Sequence, residues 1–163
     1  DLPVERGQRP LFAQDAIEPD VRTNERPFDG RIYVMLIDDV QTVRVLVVDD
    51  QLTFRAVART VVGLTPGFQV VAEAGSGPDS VEAAMESHPG LVLMDINLPG
   101  FSGIEATRQI TAMDPSVVVV LMSTYDAASL PADAMDCGAA RYTRKEDLTP
   151  ALLREVWTRE HLE

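Results

Sequence analysis

The chain has 163 residues, enough for one compact domain with a sizeable core but too few for two domains of ordinary size. Its formal net charge of −12 argues against nucleic-acid binding by this chain alone, because such binding needs clustered Lys and Arg side chains. Hydrophobic residues make up 45% of the chain without an apolar run long enough to cross a bilayer, which predicts a soluble globular protein with no membrane partner.

The first part of the chain differs in composition from the rest. Prolines interrupt it, and most of it is polar or charged without helical or strand periodicity. We interpret residues 1–42 as an N-terminal extension or linker that is mostly irregular, with an extra strand as an option at residues 32–37. Asp38 and Asp39 follow that apolar run, but too few residues separate them from the next strand for a crossover helix. Asp38 is therefore a minor alternative to the acidic pair that ends the next strand.

From Val43 onward, short apolar runs rich in β-branched residues alternate with amphipathic stretches of helix length, which predicts alternating strands and helices. The predicted strands are Val43–Asp49, Gln69–Ala74, Leu91–Asp95, Val117–Ser123 and Ala139–Tyr142. The predicted helices are Thr53–Leu64, Pro78–His88, Gly103–Met113, Leu130–Cys137 and Leu148–Glu160. Pro131 falls in the fourth predicted helix, which we therefore expect to begin at Leu130 or Pro131 and to be short.

The strands are continuously apolar, as expected for strands buried on both faces. Such strands, each followed by a helix, predict a doubly wound α/β domain over residues 43–160 with a parallel sheet covered on both sides. Residues 161–163 form a tail that resembles the scar of an affinity tag. Ligands of this fold class bind in the crevice beyond the carboxyl ends of the strands, so those ends are where a site is expected.

Polar residues follow the carboxyl ends of the predicted strands. They comprise three carboxylates, one hydroxyl and the only lysine of the chain: Asp49, Asp50, Asp95, Ser123 and Lys145. Two like charges about 4 Å apart repel by roughly 4 kcal/mol at an effective dielectric near 20, so the carboxylates need a cation or raised pKa values. Mg²⁺ prefers such oxygen ligands. The set is suited to phosphoryl transfer, in which a carboxylate attacks phosphorus while the cation and the lysine neutralise negative charge.

Each of these residues alone has a more ordinary explanation. An Asp at a strand end usually caps a helix or forms a turn, a Ser there usually makes a local hydrogen bond, and a Lys after a strand is usually solvated. Those explanations would have to hold independently for an acidic pair, a third Asp, a Ser and the only Lys, all at one sheet edge. We therefore favour a single site.

Residues Val43 to about Glu160 resemble the receiver domain of two-component response regulators. The resemblance rests on the acidic pair Asp49-Asp50, the Leu93–Gly100 segment around Asp95 with Gly103, Ser123, Gly138-Ala139, Tyr142 and Lys145. Two further segments, Val70–Ala74 and Gly103–Arg108, resemble the LuxR/FixJ-type subfamily, whose members usually carry a C-terminal DNA-binding domain. The resemblance implies a flavodoxin-like (βα)5 three-layer sandwich with strand order 2-1-3-4-5.

The resemblance also implies a phosphoacceptor and a metal site. Asp95 would receive a phosphoryl group from a phosphohistidine on a sensor histidine kinase, from a phosphotransfer protein or from a small phosphodonor. Mg²⁺ would be bound by Asp50, Asp95 and the backbone carbonyl of Asn97, with Asp49 acting through a coordinated water.

The remaining roles that the resemblance implies belong to switching. Lys145 would pair with the phosphoryl group, Ser123 would move toward it, and Tyr142 would turn into the space that this opens. Asn97 and Tyr125 would flank the attacking water and tune the rate of dephosphorylation.

The expected function is a phosphoacceptor module that switches protein contacts to control a transcriptional output, with no enzymatic activity beyond slow self-catalysed phosphotransfer and autodephosphorylation. The alternative is a stand-alone receiver or phosphorelay intermediate without a DNA-binding output. A phosphohydrolase of the haloacid-dehalogenase type is disfavoured, since that family places its nucleophile at the end of strand one, whereas the candidate nucleophile here, Asp95, is at the end of strand three. Homodimerisation is left open. A single cysteine and no secretory segment lead us to expect a cytoplasmic location.

Overall fold

The structure is a computed structural model that describes residues 41–162. The interpretation of residues 1–42 as an extension therefore lies outside the described residues, apart from the last two of them. The same holds for the optional strand at residues 32–37 and for Asp38 as an alternative acidic residue.

The described part of the chain alternates strands and helices. In chain order they are β1 (Val43–Val48), α1 (Leu52–Gly63), β2 (Phe68–Ala74), α2 (Gly77–Ser87), β3 (Leu91–Asp95), α3 (Gly103–Met113), β4 (Val118–Ser123), β5 (Arg141–Arg144) and α4 (Pro150–His161). Short 3₁₀ turns lie at Ala127–Ser129, Ala132–Met135 and Lys145–Asp147. All predicted strands and all predicted helices but the fourth are present, with ends shifted by at most two residues. Within residues 41–162, none of the helices has the length and apolar character required to span a bilayer.

The strands form one parallel sheet in the order β2-β1-β3-β4-β5. The predicted flavodoxin-like fold with strand order 2-1-3-4-5 is thus confirmed. The chain order reverses beside β1, because β2 lies on one side of it and β3 on the other. In doubly wound sheets a crevice opens at this reversal, beyond the carboxyl ends of the two central strands.

The core consists of two apolar layers on opposite faces of the sheet. Successive residues of a strand point to opposite faces, so Leu46 and Val48 of β1 pack with residues of α2 and α3. Val45 and Val47 pack instead with residues of α1 and α4. β3 and β4 are buried along their whole length, which explains why their sequences are apolar at every position but the polar last residue. The sheet is therefore the middle layer of a three-layer sandwich.

The predicted helix at Leu130–Cys137 is wrong. Between Ser123 and Arg141 the chain forms only the 3₁₀ turns Ala127–Ser129 and Ala132–Met135. Pro131 has no backbone N–H and disfavours helical geometry in the residue before it, and Leu130 accordingly has extended φ and ψ angles of −76° and 148°. The side chain of Ala134 is buried in this segment, although its backbone is not α-helical.

A contact between Gly90 and Trp157 anchors α4 to the sheet. A Cβ atom on Gly90, the residue before β3, would lie 3.1 Å from Cη2 of Trp157. The indole also meets the Phe68 ring edge to face, with centroids 6.3 Å apart. The absence of a side chain at position 90 thus makes room for the ring that holds α4 in place.

Candidate functional site

Asp49 and Asp95 meet because their strands are adjacent and parallel. The pairing of β1 with β3 aligns Val48 with Met94, so Asp49, which directly follows β1, lies beside Asp95, which ends β3. Both carboxylates are buried, with relative exposures of 0% for Asp49 and 4% for Asp95. Asp50 is exposed beside them, and one oxygen of each of the three carboxylates lies within 4.8 Å of the other two.

The side chain of Lys145 reaches the same point from β5. Its residue begins the 3₁₀ turn that directly follows the strand. The ammonium nitrogen lies 2.5 Å from Oδ2 of Asp49 and 3.2 Å from Oδ2 of Asp95. Burial disfavours the charge of Lys145, but its two carboxylate contacts outweigh burial and raise its pKa.

The acidic site carries more negative charge than one ammonium can neutralise. Burial and the nearby charge of Asp49 raise the pKa of Asp95 to about 6, although Lys145 and the Asn97 amide act in the opposite direction. A divalent cation with oxygen ligands would offset this excess. The arrangement therefore fits a hard metal ion among the three carboxylates.

Tight turns orient the two buried carboxylates. The backbone N–H of Gln51 donates to Oδ1 of Asp49 at 2.8 Å, and that of Asn97 donates to Oδ1 of Asp95 at 3.4 Å. In each turn the donor lies two residues after the Asp, a local bond that Asp favours. One oxygen of each carboxylate is thus held by the backbone, and the other faces Lys145.

Gly103 allows α3 to begin against the backbone of Asp95. A Cβ atom at this position would lie 1.9 Å from the carbonyl oxygen of Asp95, far inside van der Waals contact. The Gly103 N–H donates to the carbonyl of Ile96 at 2.8 Å, and Ser102 caps the helix by accepting from the N–H of Glu105. This close approach fixes the loop that follows Asp95.

Ser123, Tyr125 and Tyr142 form a second group at the same sheet edge. Ser123 ends β4 with a relative exposure of 2%, and its Oγ accepts from the N–H of Tyr125 at 3.1 Å. The hydroxyl of Tyr142, from β5, donates to the carbonyl of Tyr125. The Tyr142 ring packs against the core layer beside α3, and the Tyr125 side chain is exposed.

The predicted site residues thus fall into two groups. The structure brings Asp49, Asp50, Asp95 and Lys145 into one cluster, with the exposed Asn97 tied to Asp95 through its backbone. The second group, around Ser123, lies at the end of the neighbouring strand. Sequence patterns did not indicate Phe54, whose ring lies against the Lys145 ammonium.

Comparison with protein families gives one match that covers most of the described chain. The model of the response regulator receiver domain matches residues 45–156. The chain belongs to the response regulator receiver domain family. The family predicted from the motifs at the strand ends is confirmed.

Several curated proteins are similar to this receiver. It is 33% identical over 114 residues to the transcriptional regulatory protein DegU of Brevibacillus brevis, covering 70% of this chain and 48% of DegU. It is 38% identical over 103 residues to the response regulator GacA of Pseudomonas viridiflava, covering 63% of this chain and 48% of GacA. It is 40% identical over 104 residues to a protein-glutamate methylesterase/protein-glutamine glutaminase of Alkalilimnicola ehrlichii, covering 63% and 27% of the respective chains. The receiver spans half or less of these relatives.

Solved structures give the same result. A LuxR-family response regulator from Aurantimonas sp. SI85-9A1 aligns with a TM-score of 0.65 at 32% identity, covering 73% of this chain and 85% of that one. The response regulator domain of Thermotoga maritima CheB aligns with a TM-score of 0.66 at 28% identity, covering 75% and 98%. The receiver is that of a two-component response regulator, and its relatives include LuxR-type regulators, as the sequence resemblance implied.

Proposed function

We propose that this receiver is a phosphoacceptor whose modified residue is Asp95. The observation that carries the proposal is the Lys145 amine, which contacts Asp49 and Asp95 at once at the ends of β1 and β3. A buried carboxylate beside a fixed cation is suited to attack phosphorus, because the cation offsets charge on the transferred group. The donor we propose is a phosphohistidine on a sensor histidine kinase or a phosphotransfer protein.

The proposed chemistry is a simple displacement at phosphorus. A carboxylate oxygen of Asp95 forms the new P–O bond of an acyl phosphate, and the bond from phosphorus to the donor atom breaks. Lys145 stays within reach of the phosphoryl oxygens because its turn follows β5 directly. The Ser123 hydroxyl, whose Oγ accepts from the N–H of Tyr125, would move to donate a hydrogen bond to a phosphoryl oxygen.

The proposed cofactor is Mg²⁺. The ligands would be Asp50, Asp95 and the backbone carbonyl of Asn97, with Asp49 acting through water. Support comes from the carboxylate oxygens, which lie within 4.8 Å of one another, and from the raised pKa of Asp95, caused first by burial and then by the nearby charge of Asp49. When bound, Mg²⁺ supplies the positive charge that Lys145 alone lacks.

The proposed switch is a shift between two packings of Ser123 and Tyr142. The Tyr142 hydroxyl donates to the backbone carbonyl of Tyr125, whose N–H donates to Ser123. A movement of Ser123 would therefore disturb the bond of Tyr142. A phosphoryl group would favour the packing that it binds better. Asn97 and Tyr125 would tune dephosphorylation, since both are exposed at the site.

The output we propose is transcriptional, since the relatives include a transcriptional regulatory protein. A stand-alone receiver or phosphorelay intermediate is the alternative. The chain would act in the cytoplasm, with its kinase or phosphotransfer protein as partner and without direct contact to nucleic acid. We propose no enzymatic activity beyond slow self-catalysed phosphotransfer and autodephosphorylation.

Intact-mass measurement tests the proposal. With acetyl phosphate and Mg²⁺, the chain should gain one phosphoryl group, and the Asp95→Asn variant should gain none. Chelation of Mg²⁺ should abolish the gain in the unsubstituted chain. A phosphoryl group retained by Asp95→Asn would refute the assignment, and sustained phosphate release from many phosphate esters would favour a phosphohydrolase instead.

A further inference from the structure

The aromatic ring of Phe54 lies against the Lys145 ammonium. The ammonium nitrogen is 4.7 Å from the ring centroid, within the range of a cation–π contact. The turn after Asp49, in which Oδ1 of Asp49 accepts from the N–H of Gln51, leads into helix α1. Because α1 starts immediately after that turn, Phe54 falls in its first turn, beside the acidic cluster. A side chain without polar atoms thus forms part of the site.

The ring contact differs in kind from the other contacts of the ammonium. Asp49 and Asp95 hold the nitrogen through charge, and the charge of Asp95 changes when that carboxylate is modified. The ring attracts the cation through its quadrupole, which no reaction at Asp95 alters. The side chain of Lys145 is only 11% exposed, so water has little access to replace either contact.

Phe54 also has an ordinary packing role. Its partly buried ring packs against the core layer of α1 and α4. Leucine or methionine would fill much of that space without a ring quadrupole, whereas tyrosine would keep the ring. These substitutions therefore separate packing from attraction to the cation.

We infer that Phe54 is a positioning residue for phosphoryl acceptance, and that its ring holds the Lys145 ammonium where Asp95 reacts. The inference rests on the proposed function of Asp95 as phosphoacceptor. Its effect on the reaction passes through Lys145, the group that its ring contacts.

The test compares phosphorylation rates under acetyl phosphate and Mg²⁺, followed by intact mass. Phe54→Leu should lower the rate constant about fivefold, the effect of losing one cation–π contact. Phe54→Tyr should keep a rate close to that of the unsubstituted chain. Phe54→Met is the second ring-free variant if Phe54→Leu does not fold, which thermal unfolding reports. Equal slowing by the tyrosine and the ring-free variants would overturn the inference.

A double-substitution cycle separates positioning from packing. In a Lys145→Met background, followed over a longer time, Phe54→Leu should cause no further slowing, because the cation it positions is gone. The same fivefold loss in both backgrounds would show that the ring acts through the fold, and the inference would fall.

The unsubstituted chain separates the two levels of the proposal. If it gains no phosphoryl group on Asp95, the proposed function and the role of Phe54 both fail. If it does gain one and Phe54→Leu reacts at the same rate, the role of Phe54 alone fails.

Discussion

The buried carboxylate of Asp95 destabilises the metal-free protein when it ionises. Its pKa is raised from 3.8 to about 6, chiefly by burial and then by Asp49, so the folded state binds the proton more tightly than the unfolded chain. Below pH 3.8 the group is protonated in both states and has no effect on stability. Stability is lost as the pH rises from there to about 6, and the loss is complete above that value.

Asp95→Asn should therefore stabilise the metal-free chain at pH 8 by about 2 kcal/mol, after allowance for solvent screening. The gain should disappear toward pH 4, where the native carboxyl is neutral. Denaturant unfolding with a chelator present, at both pH values, measures this. Asp136→Asn removes an equal charge from an exposed position and should change stability little at either pH. A gain that does not depend on pH would contradict the assigned cause.

Lys145 should weaken metal binding at the acidic cluster. Its ammonium lies within 3.2 Å of oxygens of Asp49 and Asp95, where it opposes a second cation. Lys145→Met should tighten Mg²⁺ binding on the order of tenfold at pH 8, because one positive charge leaves the site. Lys145→Arg keeps the charge and should bind Mg²⁺ nearly as the unsubstituted chain does. Titration calorimetry is the measurement, and weaker binding by Lys145→Met would refute the argument.

Elements differ in how well the sequence predicted them. The strands and the acidic residues at their ends were predictable because burial on both faces demands continuous apolar runs, and polar residues mark where those runs stop. The backbone of the segment Leu130–Cys137 was not predictable, since its apolar spacing suits either an α-helix or successive 3₁₀ turns. The backbone restriction that Pro131 imposes decides between the two. Phe54 was missed because its pattern is that of any apolar helix residue.

The junction of β3 with α3 offers a test at the level of elements. Gly103→Ala would place a Cβ 1.9 Å from the Asp95 carbonyl oxygen, so helix or strand must shift. We expect a loss of roughly 3 kcal/mol in unfolding free energy together with weaker Mg²⁺ binding. Gly63→Ala is the matched control, because nothing lies within 4 Å of its Cβ and its φ is not in the left-handed region. That variant should be neutral or more stable by about 0.5 kcal/mol.

Equal effects of the two alanines on denaturant unfolding would mean that the close approach at Gly103 has no energetic weight. A destabilised Gly103→Ala that binds Mg²⁺ normally would mean that the loop after Asp95 adapts on its own.

At the scale of the whole molecule, a divalent cation should stabilise the fold. The chain carries a net charge of −12, and three of its carboxylates have oxygens within 4.8 Å of one another. Mg²⁺ at a hundred times its dissociation constant should add about 2.7 kcal/mol, which corresponds to a rise in Tm of roughly 10 °C. Thermal scans with Mg²⁺ and with a chelator measure the shift. Asp50→Asn should reduce it sharply, and an undiminished shift would place the metal elsewhere.

Lys145 is the only lysine in the chain, and its amine lies within the acidic cluster. Acylation of a lysine side chain can therefore occur only in this cluster, at a side chain that is 11% exposed. The extent of acylation would therefore report whether the acidic cluster is accessible or occupied by a cation. Coupling the protein to a surface through lysine would, for the same reason, tether it by the acidic cluster.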